Sequence, residues 1–307
     1  MKIYTLTLNP AYDVHANAAA LLLEHENLAE VCSREAGGKG VNISRALTTH
    51  QIPNTAIVVL GKENCADFKA DLTSAGIRSL LLEQEGRIRE NLTVHCANGK
   101  ETRISFRGFT VNDALLDEIS ALMDVDRETV VTFTGSVPAG ISREGVLRFL
   151  QALRAKGAKL VLDSKSLTLE DLYALQPWLI KPNQEEISAY FGCPIETISQ
   201  ALEKAQCFAA HGITNVMVSL GGQGAMLIHG GKTYTAAPPV IKAVSTIGAG
   251  DSSIAGFLAA AAAGQSAPEC LKTAVAYGTA ACLTEGSLPP RPEDTAAIFN
   301  VVCIRAE

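Results

Sequence analysis

The sequence is poor in aromatic residues and has no cysteine pairs at metal-binding or redox spacing. Aromatic side chains make up 5% of the 307 residues, with a single tryptophan. The eight cysteines are scattered and none forms a C-x-x-C pair; an even number of thiols leaves pairing as disulfides as the alternative. Because the chain is long and its N-terminus does not read as an export signal, we expect reduced thiols and a cytoplasmic protein.

Long apolar runs, linkers and an excess of positive charge are also missing. No apolar run approaches the ~20 residues of a membrane-spanning helix, and there is no Pro/Ser-rich linker or internal repeat. The formal net charge of −6 argues against nucleic acid or an anionic membrane as the main partner. An acidic protein that binds phosphate must therefore concentrate its basic side chains locally.

The residues that are present predict an α/β protein with a substantial core. Hydrophobic residues make up 47% of the chain and charged residues 19%, as in ordinary globular enzymes. Strand-like and helical patterns alternate, which predicts a mostly parallel sheet flanked by helices on both faces. We interpret residues 1–307 as a single domain. The predicted strands are 1–8, 56–60, 78–82, 129–133, 159–162 and 215–219, and the predicted helices are 41–50, 66–75, 143–156, 199–211 and 268–283.

Two insertions break this alternation and predict a small antiparallel β lid. The first, approximately residues 13–36, needs no long helix and contains a strand-like run at 27–33. The second, approximately 87–107, places strand-like runs on both sides of the turn Ala97–Lys100, where Asn-Gly is a strong hairpin signal. One face of this lid would meet no obvious core, so we expect a homodimer formed through it.

A glycine-rich segment late in the chain has the composition of an anion site. Gly248, Ala249 and Gly250 lie where a strand passes into an Ala-rich helix, so their N–H groups can converge on an anion at a helix N-terminus. The carboxylate of Asp251 beside them suits a general base that takes a hydroxyl proton during phosphoryl transfer. The alternative is that Asp251 only caps the helix.

Two competing nucleotide motifs are incomplete. Gly248 and Gly250 are followed by Ser253 rather than the third glycine of G-x-G-x-x-G, and Met226 stands where a P-loop ending at Thr233 needs its first glycine. The segment 225–234 instead predicts two strands joined by a tight Gly-Gly turn. Neither a Walker ATPase nor a dinucleotide dehydrogenase is supported.

A second glycine-rich segment precedes the first long helix. Gly37 and Gly38 let a ligand approach the backbone, and Lys39 and Asn42 offer a cation and an amide that both donates and accepts. Upstream, Asp13 follows the first strand, near the edge where parallel sheets bind ligands. The alternatives are a flexible loop before a helix and, for Asp13, a turn residue.

These two segments, in this order, resemble the ribokinase-like (PfkB) sugar kinases, which carry G-G-K-G-x-N early and G-A-G-D late. The opening 7–13, the pair at 245–246 and the element 179–186 are similar to the 1-phosphofructokinase/tagatose-6-phosphate kinase branch, and the matches span roughly residues 3–290. The resemblance implies a ribokinase-like fold and an ATP-dependent kinase of a ketohexose phosphate.

The resemblance also implies a role for each motif residue. Asp251 would be the base, with Gly248, Ala249 and Gly250 as the anion hole. The sugar phosphate would be held by Asp13, Gly37, Gly38, Lys39, Asn42, Arg89, Asn91 and Ser136. The co-substrate ATP would be bound by Lys181, Asn183, Ser219, Gly221, Gly222 and Gly224. Metal ions would be bound by Glu186 (Mg²⁺) and by Ser245 and Ile247 (a monovalent cation such as K⁺).

Bland alternatives remain open for several of these residues. Arg89 could be a solvated hairpin charge, Glu186 a carboxylate in the first turn of a helix, and Ser136 a plain turn residue. The segment 219–224 could be a simple strand-end turn. Lys165 departs from the family pattern, because it places an extra cation near the expected phosphate path.

Among possible acceptors, the resemblance favours fructose 1-phosphate, giving fructose 1,6-bisphosphate. Tagatose 6-phosphate comes next, followed by fructose 6-phosphate, since the three share a phosphate and differ in hydroxyl placement. A non-catalytic sugar-phosphate sensor on the same fold is the alternative from a different class. The intact Asp251 beside its glycines argues against it, because a binding module needs no base.

Overall fold

The computed structural model describes residues 1–306, in which fourteen strands and ten α-helices are formed. The strands are β1 (Lys2–Thr7), β2 (Ala11–Ala18), β3 (Ala29–Gly37), β4 (Thr55–Gly61), β5 (Ser79–Gln84), β6 (Arg89–Cys96), β7 (Glu101–Ser105), β8 (Thr129–Thr134), β9 (Lys159–Asp163), β10 (Leu179–Ile180), β11 (Asn215–Ser219), β12 (Ala225–His229), β13 (Lys232–Ala237) and β14 (Cys303–Ala306). The helices are α1 (Lys39–Thr49), α2 (Cys65–Ser74), α3 (Ala114–Ala121), α4 (Arg143–Ala155), α5 (Leu169–Leu175), α6 (Gln184–Phe191), α7 (Ile198–Ala210), α8 (Ala249–Ala262), α9 (Ala267–Ala281) and α10 (Pro292–Val301).

Ten strands form the central sheet, in the order β14-β13-β12-β11-β10-β9-β8-β1-β4-β5. Every pair from β5 to β11 is parallel, and the three pairs from β11 to β14 are antiparallel. This arrangement confirms the predicted mostly parallel sheet. The predicted Gly-Gly turn is also present, because Gly230 and Gly231 connect the antiparallel strands β12 and β13.

Helices cover both faces of the central sheet, and successive strand residues point to opposite faces. In β8, Val130 packs with α1, α8, α9 and α10, whereas Val131 and Phe133 pack with α3 to α7. Both sets of side chains are buried. Strands buried on two faces have continuous apolar sequences rather than alternating ones, and residues 56–60 of β4, Ala-Ile-Val-Val-Leu, have this pattern.

The other four strands form a separate sheet in the order β3-β2-β6-β7, here called the lid. Its outer pairs are antiparallel, as predicted, but the central β2–β6 pair is parallel. The reason is topological. Strands β2 and β6 follow β1 and β5, which run in the same direction at the central sheet, and each is reached by a short connection of three or four residues.

Several element boundaries differ from the sequence predictions. Helix α1 begins at Lys39 rather than Val41, so that Lys39 and Gly40 lie in its first turn, and β3 is displaced to 29–37 from the predicted 27–33. The sequence did not predict α3, α5, α6 or α10. Among the helices of residues 1–306, none is long and apolar enough to cross a membrane.

Candidate functional site

A cavity of about 440 Å³ lies at the carboxyl ends of the parallel strands, where α/β sheets bind ligands. Thr7 ends β1, Thr134 ends β8 and Asp163 ends β9, while the lid and the N-termini of α1 and α8 supply the remaining walls. Twelve of the predicted site residues line this cavity: Asp13, Gly38, Lys39, Asn42, Arg89, Asn91, Ser136, Lys181, Ile247, Gly248, Gly250 and Asp251.

The predicted anion nest corresponds to the turn that begins α8. Gly248 caps the helix in the left-handed region with φ 78°, a conformation that favours glycine. The N–H groups of Gly250 and Asp251 lie in the first turn and have no intrahelical acceptor. An added Cβ on Gly250 would lie only 3.0 Å from the Lys181 Nζ. The small residue therefore lets an ammonium group approach the nest.

Ala249 differs from its two neighbours. Its N–H donates to the carbonyl oxygen of Thr246 at 3.4 Å, and the residue is not part of the cavity wall. Gly37 is likewise outside the cavity and lies beside the Asp13 carboxylate. These two predicted site residues therefore lie behind the cavity wall and do not face the cavity.

Asp251 is a buried carboxylate at the floor of the cavity. The residue is 7% exposed, and Asn42 Nδ2 donates to its Oδ2 at 2.9 Å. Burial raises the pKa of Asp251 to about 6, although nearby Lys39 and the Asn42 hydrogen bond act in the opposite direction. A carboxylate whose pKa approaches neutrality is a stronger base than an exposed one, yet it is still ionised at pH 7.

Two lysines meet a carboxylate that the sequence analysis did not include among the site residues. Lys39 Nζ donates to Asp163 Oδ1 at 2.9 Å, and Lys181 Nζ lies 3.6 Å from Asp163 Oδ2. The Asp163 side chain is 5% exposed. The two lysines hold the pKa of Asp163 below its usual value against the effect of burial. The sequence contained one indication that Asp163 could be a site residue, because it directly follows a predicted buried strand. The sequence does not show that both lysines converge on it.

The lid supplies a polar network to the opposite wall. Asn91 Nδ2 donates to Asp13 Oδ1 at 2.8 Å, and Arg89 Nη1 donates to Asn91 Oδ1 at 3.2 Å. Arg103 Nη2 also reaches Asp13 Oδ1 at 3.4 Å. Burial lowers the pKa of Arg89, which Asp13 partly counteracts. The network presents two guanidinium groups and one carboxylate to the cavity.

Unpaired buried polar atoms are concentrated in this cavity. Eight buried side-chain nitrogen or oxygen atoms within residues 1–306 have no hydrogen-bond partner. Five of these eight belong to residues that line the cavity, namely Thr7, Asn9, Asn42, Thr134 and Asp163. An unpaired buried polar atom costs about 1–3 kcal/mol. Such a concentration indicates a site built to bind a polar ligand.

A second cavity of about 550 Å³ lies beside the first and shares Asp163 and Lys181 with it. Asn183 and Glu186 line it and form the capping box of α6: Glu186 N–H donates to Asn183 Oδ1 at 2.8 Å, and Asn183 N–H donates to Glu186 Oε2 at 3.0 Å. Lys165 lies on the wall of this second cavity and not on the first.

The remaining predicted residues lie outside both cavities. Ser219 ends β11 and is bridged to Asn183, while Gly221 and Gly222 begin a short 3₁₀ turn that Gly224 closes. Ser245 donates its hydroxyl to the Gly286 carbonyl oxygen at 3.1 Å. The structure thus brings most of the residues predicted to bind the sugar phosphate into one cavity and leaves the segment 219–224 outside both cavities.

Comparison with known proteins agrees with this arrangement. The sequence profile of the pfkB family carbohydrate kinases matches residues 8–294. The chain belongs to this family. The kinase is 30% identical over 306 residues to the 1-phosphofructokinase of Escherichia coli strain K12, covering 98% of this chain and 97% of that protein.

Solved structures show the same fold around the site. Phosphofructokinase-2 from Escherichia coli in complex with fructose-6-phosphate superposes on the kinase with a TM-score of 0.89 and 28% identity, covering 97% of this chain and 98% of that one. The structure of the same protein in complex with potassium has the same score, identity and coverage. The ribokinase-like fold implied by the sequence is therefore confirmed, and the protein is a sugar kinase that uses ATP.

Proposed function

We propose that the kinase transfers a phosphoryl group from ATP to a ketohexose phosphate, with fructose 1-phosphate as the favoured acceptor. The observation that carries this proposal is the charge of the acceptor cavity. In a protein of net charge −6, four cationic side chains and three carboxylates line it. The cations are Lys39, Arg89, Arg103 and Lys181, and the carboxylates are Asp13, Asp163 and Asp251. A local excess of cations is what a phosphorylated sugar requires.

Asp251 is proposed as the base of the reaction. Its carboxylate takes the proton from the acceptor hydroxyl, which for fructose 1-phosphate is the hydroxyl on C6. The oxygen attacks the γ-phosphorus in line, the bond from that phosphorus to the β,γ-bridging oxygen breaks, and ADP leaves. The free N–H groups at the start of α8 stabilise the charge of the transferred group, because they face it without reorganising. Asn42 orients the carboxylate by donating to one oxygen.

The lid is proposed to hold the sugar phosphate. Asp13 offers an oxygen to sugar hydroxyls, and Asn91 orients Asp13 by donating to it. Arg89 has a planar guanidinium that suits bidentate binding of a phosphate. Ser136 completes this wall, since its hydroxyl accepts from Asn9 Nδ2 at 3.0 Å and can donate onward.

ATP is proposed to lie along the ends of β10 and β11, with its phosphates at Lys181 and the α8 nest and its nucleoside at the 219–224 loop. The residues fit an accompanying Mg²⁺, because only one oxygen of Glu186 is used by the α6 cap. Mg²⁺ requires few carboxylates when it arrives on phosphates, and it would neutralise charge on them. Ser245 and Ile247 are proposed for K⁺ through their oxygens, by analogy with the potassium complex of the relative.

Arg89→Ala is expected to raise the KM for the sugar phosphate by roughly one to two decades more than the KM for ATP. The lost charge-assisted contact to phosphate is worth about 1.5–3 kcal/mol. The measurement is steady-state kinetics with each substrate varied in turn. Arg107→Ala is the matched control, since Arg107 is exposed two residues after the lid strand β7 and does not line the cavity. Equal increases in the KM values for both substrates would show that Arg89 does not bind the sugar phosphate.

A homodimer through the lid is also proposed. Val31, Ile104 and Phe106 are 61%, 42% and 52% exposed. By strand register Val31 and Ile104 lie on the face opposite Asp13, and Phe106, whose N–H donates to the Glu90 carbonyl oxygen, continues the alternation of β7 on that face. An exposed apolar sheet face of this kind is stabilised when a partner buries it. The same face of a second copy can be that partner, because two-fold symmetry brings identical surfaces together.

Sedimentation at micromolar concentration is expected to give a dimer for the wild type and a monomer for Phe106→Glu. A buried glutamate without a partner is costly at the centre of such an interface. The control is Val301→Glu, because Val301 is 55% exposed at the end of α10. A fully active wild-type monomer would contradict the proposal.

The acceptor is tested with a panel of phosphorylated ketohexoses in one ATP-consumption assay. Fructose 1-phosphate is expected to have the highest kcat/KM, and preference for tagatose 6-phosphate or fructose 6-phosphate would reassign the acceptor. Sugar-phosphate binding without any ATP turnover would instead identify a sensor.

A further inference from the structure

Asp163 stands between the two cavities and contacts both lysines of the site. Its side chain is 5% exposed and contributes to the walls of both cavities. One carboxylate oxygen accepts from Lys39 at 2.9 Å. The other lies 3.6 Å from Lys181 Nζ and has no hydrogen-bond partner among residues 1–306. Nothing in the proposed chemistry uses this carboxylate directly, although its burial is costly.

The two ammonium groups need a counter-ion other than the base. Lys39 projects from the first turn of α1, and Lys181 follows β10, so that like charges enter one small space from two elements. Both also interact favourably with the charge of Asp251. An ammonium group paired directly to Asp251 would occupy the lone pairs that must accept the hydroxyl proton. A carboxylate elsewhere is therefore required to keep the lysines from pairing with the base.

We propose that Asp163 is a positioning residue of the kinase: by binding Lys39 with one oxygen and attracting Lys181 with the other, it keeps both ammonium groups off Asp251 and directed to phosphate oxygens. This inference deepens the proposed function and rests on it. The spare capacity of the second oxygen fits the role. Because Lys181 is held at 3.6 Å by attraction rather than by a hydrogen bond, it can turn toward an arriving phosphate at low cost.

The consequence appears in the pH dependence of the reaction. The charged groups that face Asp251 are Lys39 from α1, Asp163 from β9 and Lys181 after β10, with the lid residues Asp13, Arg89 and Arg103 on the opposite wall. The Asp163 charge raises the pKa of Asp251, whereas the two lysines lower it. Removing the Asp163 charge is therefore expected to lower the pKa of Asp251 in two ways. The repulsion between the two carboxylates is lost, and the lysines are released to approach Asp251.

The test is Asp163→Asn, which preserves the shape of the side chain and removes its charge. In a plot of kcat/KM against pH, the fall on the acidic side, here called the acid limb, is expected to move to lower pH by roughly one pH unit. The value of kcat at pH 7.5 is expected to fall roughly 10- to 100-fold, because the lysines are misplaced. The Mg²⁺ concentration for half-maximal rate is expected to stay unchanged.

Asp171→Asn is the matched control: Asp171 is also buried and ion-paired, to Arg143, but lines neither cavity. It is expected to lower the melting temperature without moving the acid limb.

If Asp163→Asn does not fold, as judged by circular dichroism, the same change is made in a Lys39→Gln background and compared with Lys39→Gln alone. The acid limb is again expected to move down, because Lys181 is still released. A folded variant whose acid limb does not move would overturn the inference, and so would a variant whose main defect is a higher Mg²⁺ requirement. Wild-type protein that phosphorylates none of the ketohexose phosphates would refute the proposed function instead.

Discussion

Replacement of Asp251 by asparagine is expected to lower kcat at least ~100-fold while the KM for each substrate stays within a few-fold. A general base contributes about 10²–10⁴ and acts mainly in the transition state. Asparagine keeps the shape of the side chain and a hydrogen-bonding group for Asn42, so binding of both substrates should survive. The measurement is steady-state kinetics of wild type and variant at pH 8, where the wild-type carboxylate is fully ionised.

Two further measurements separate lost catalysis from lost structure. The wild-type kcat/KM is expected to fall below pH 6, since the pKa of Asp251 is raised to about 6 and only its ionised form accepts the proton. Because the folded-state pKa lies above the unfolded value, ionised Asp251 weakens the fold as pH rises through that range. The variant should therefore melt no lower than the wild type at pH 8. A near-wild-type kcat would show that Asp251 is not the base.

The kinase is expected to prefer fructose 1-phosphate to free fructose by several orders of magnitude in kcat/KM. Without a phosphate, Lys39, Arg89 and Arg103 keep only the partial pairing they have with Asp163, Asn91 and Asp13. The sugar then loses contacts that are worth about 1.5–3 kcal/mol for each hydrogen bond to a charged group. Binding of the remote phosphate also orients the attacking hydroxyl, so kcat should fall together with affinity.

The comparison uses both acceptors with wild type and with Arg89→Ala. The variant is expected to lose activity with fructose 1-phosphate but to change little with free fructose, since the guanidinium acts only on the phosphate. Such a pattern would assign the selectivity to the cations of the cavity. Comparable kcat/KM values for the two sugars in the wild type would show an enzyme for unphosphorylated sugars, and the acceptor proposal would be wrong.

Local sequence signals were enough for the central architecture. Buried strands such as 56–60 are continuous apolar runs, and helices such as 143–155 have strong amphipathic patterns, so both were predicted within a residue or two. Helices α5 and α6 were missed because they are only seven and eight residues long. The parallel β2–β6 pair was also missed, because strands far apart in sequence pair according to how their connections leave the central sheet.

By itself the sequence determined the family, the two glycine-rich turns and the order of the motifs, and it indicated the carboxylate that we propose as the base, because each depends on residues that are neighbours along the chain. Only the tertiary structure decided which charges meet. Lys39 and Asp163 are 124 positions apart, and Asn42 and Asp251 are 209 apart. Contacts over such separations depend on strand order and on the space left by residues such as Gly250. The sequence therefore identifies Asp163 only as a residue at the end of a strand. The pairing of both lysines with it follows from the order of the strands in the sheet.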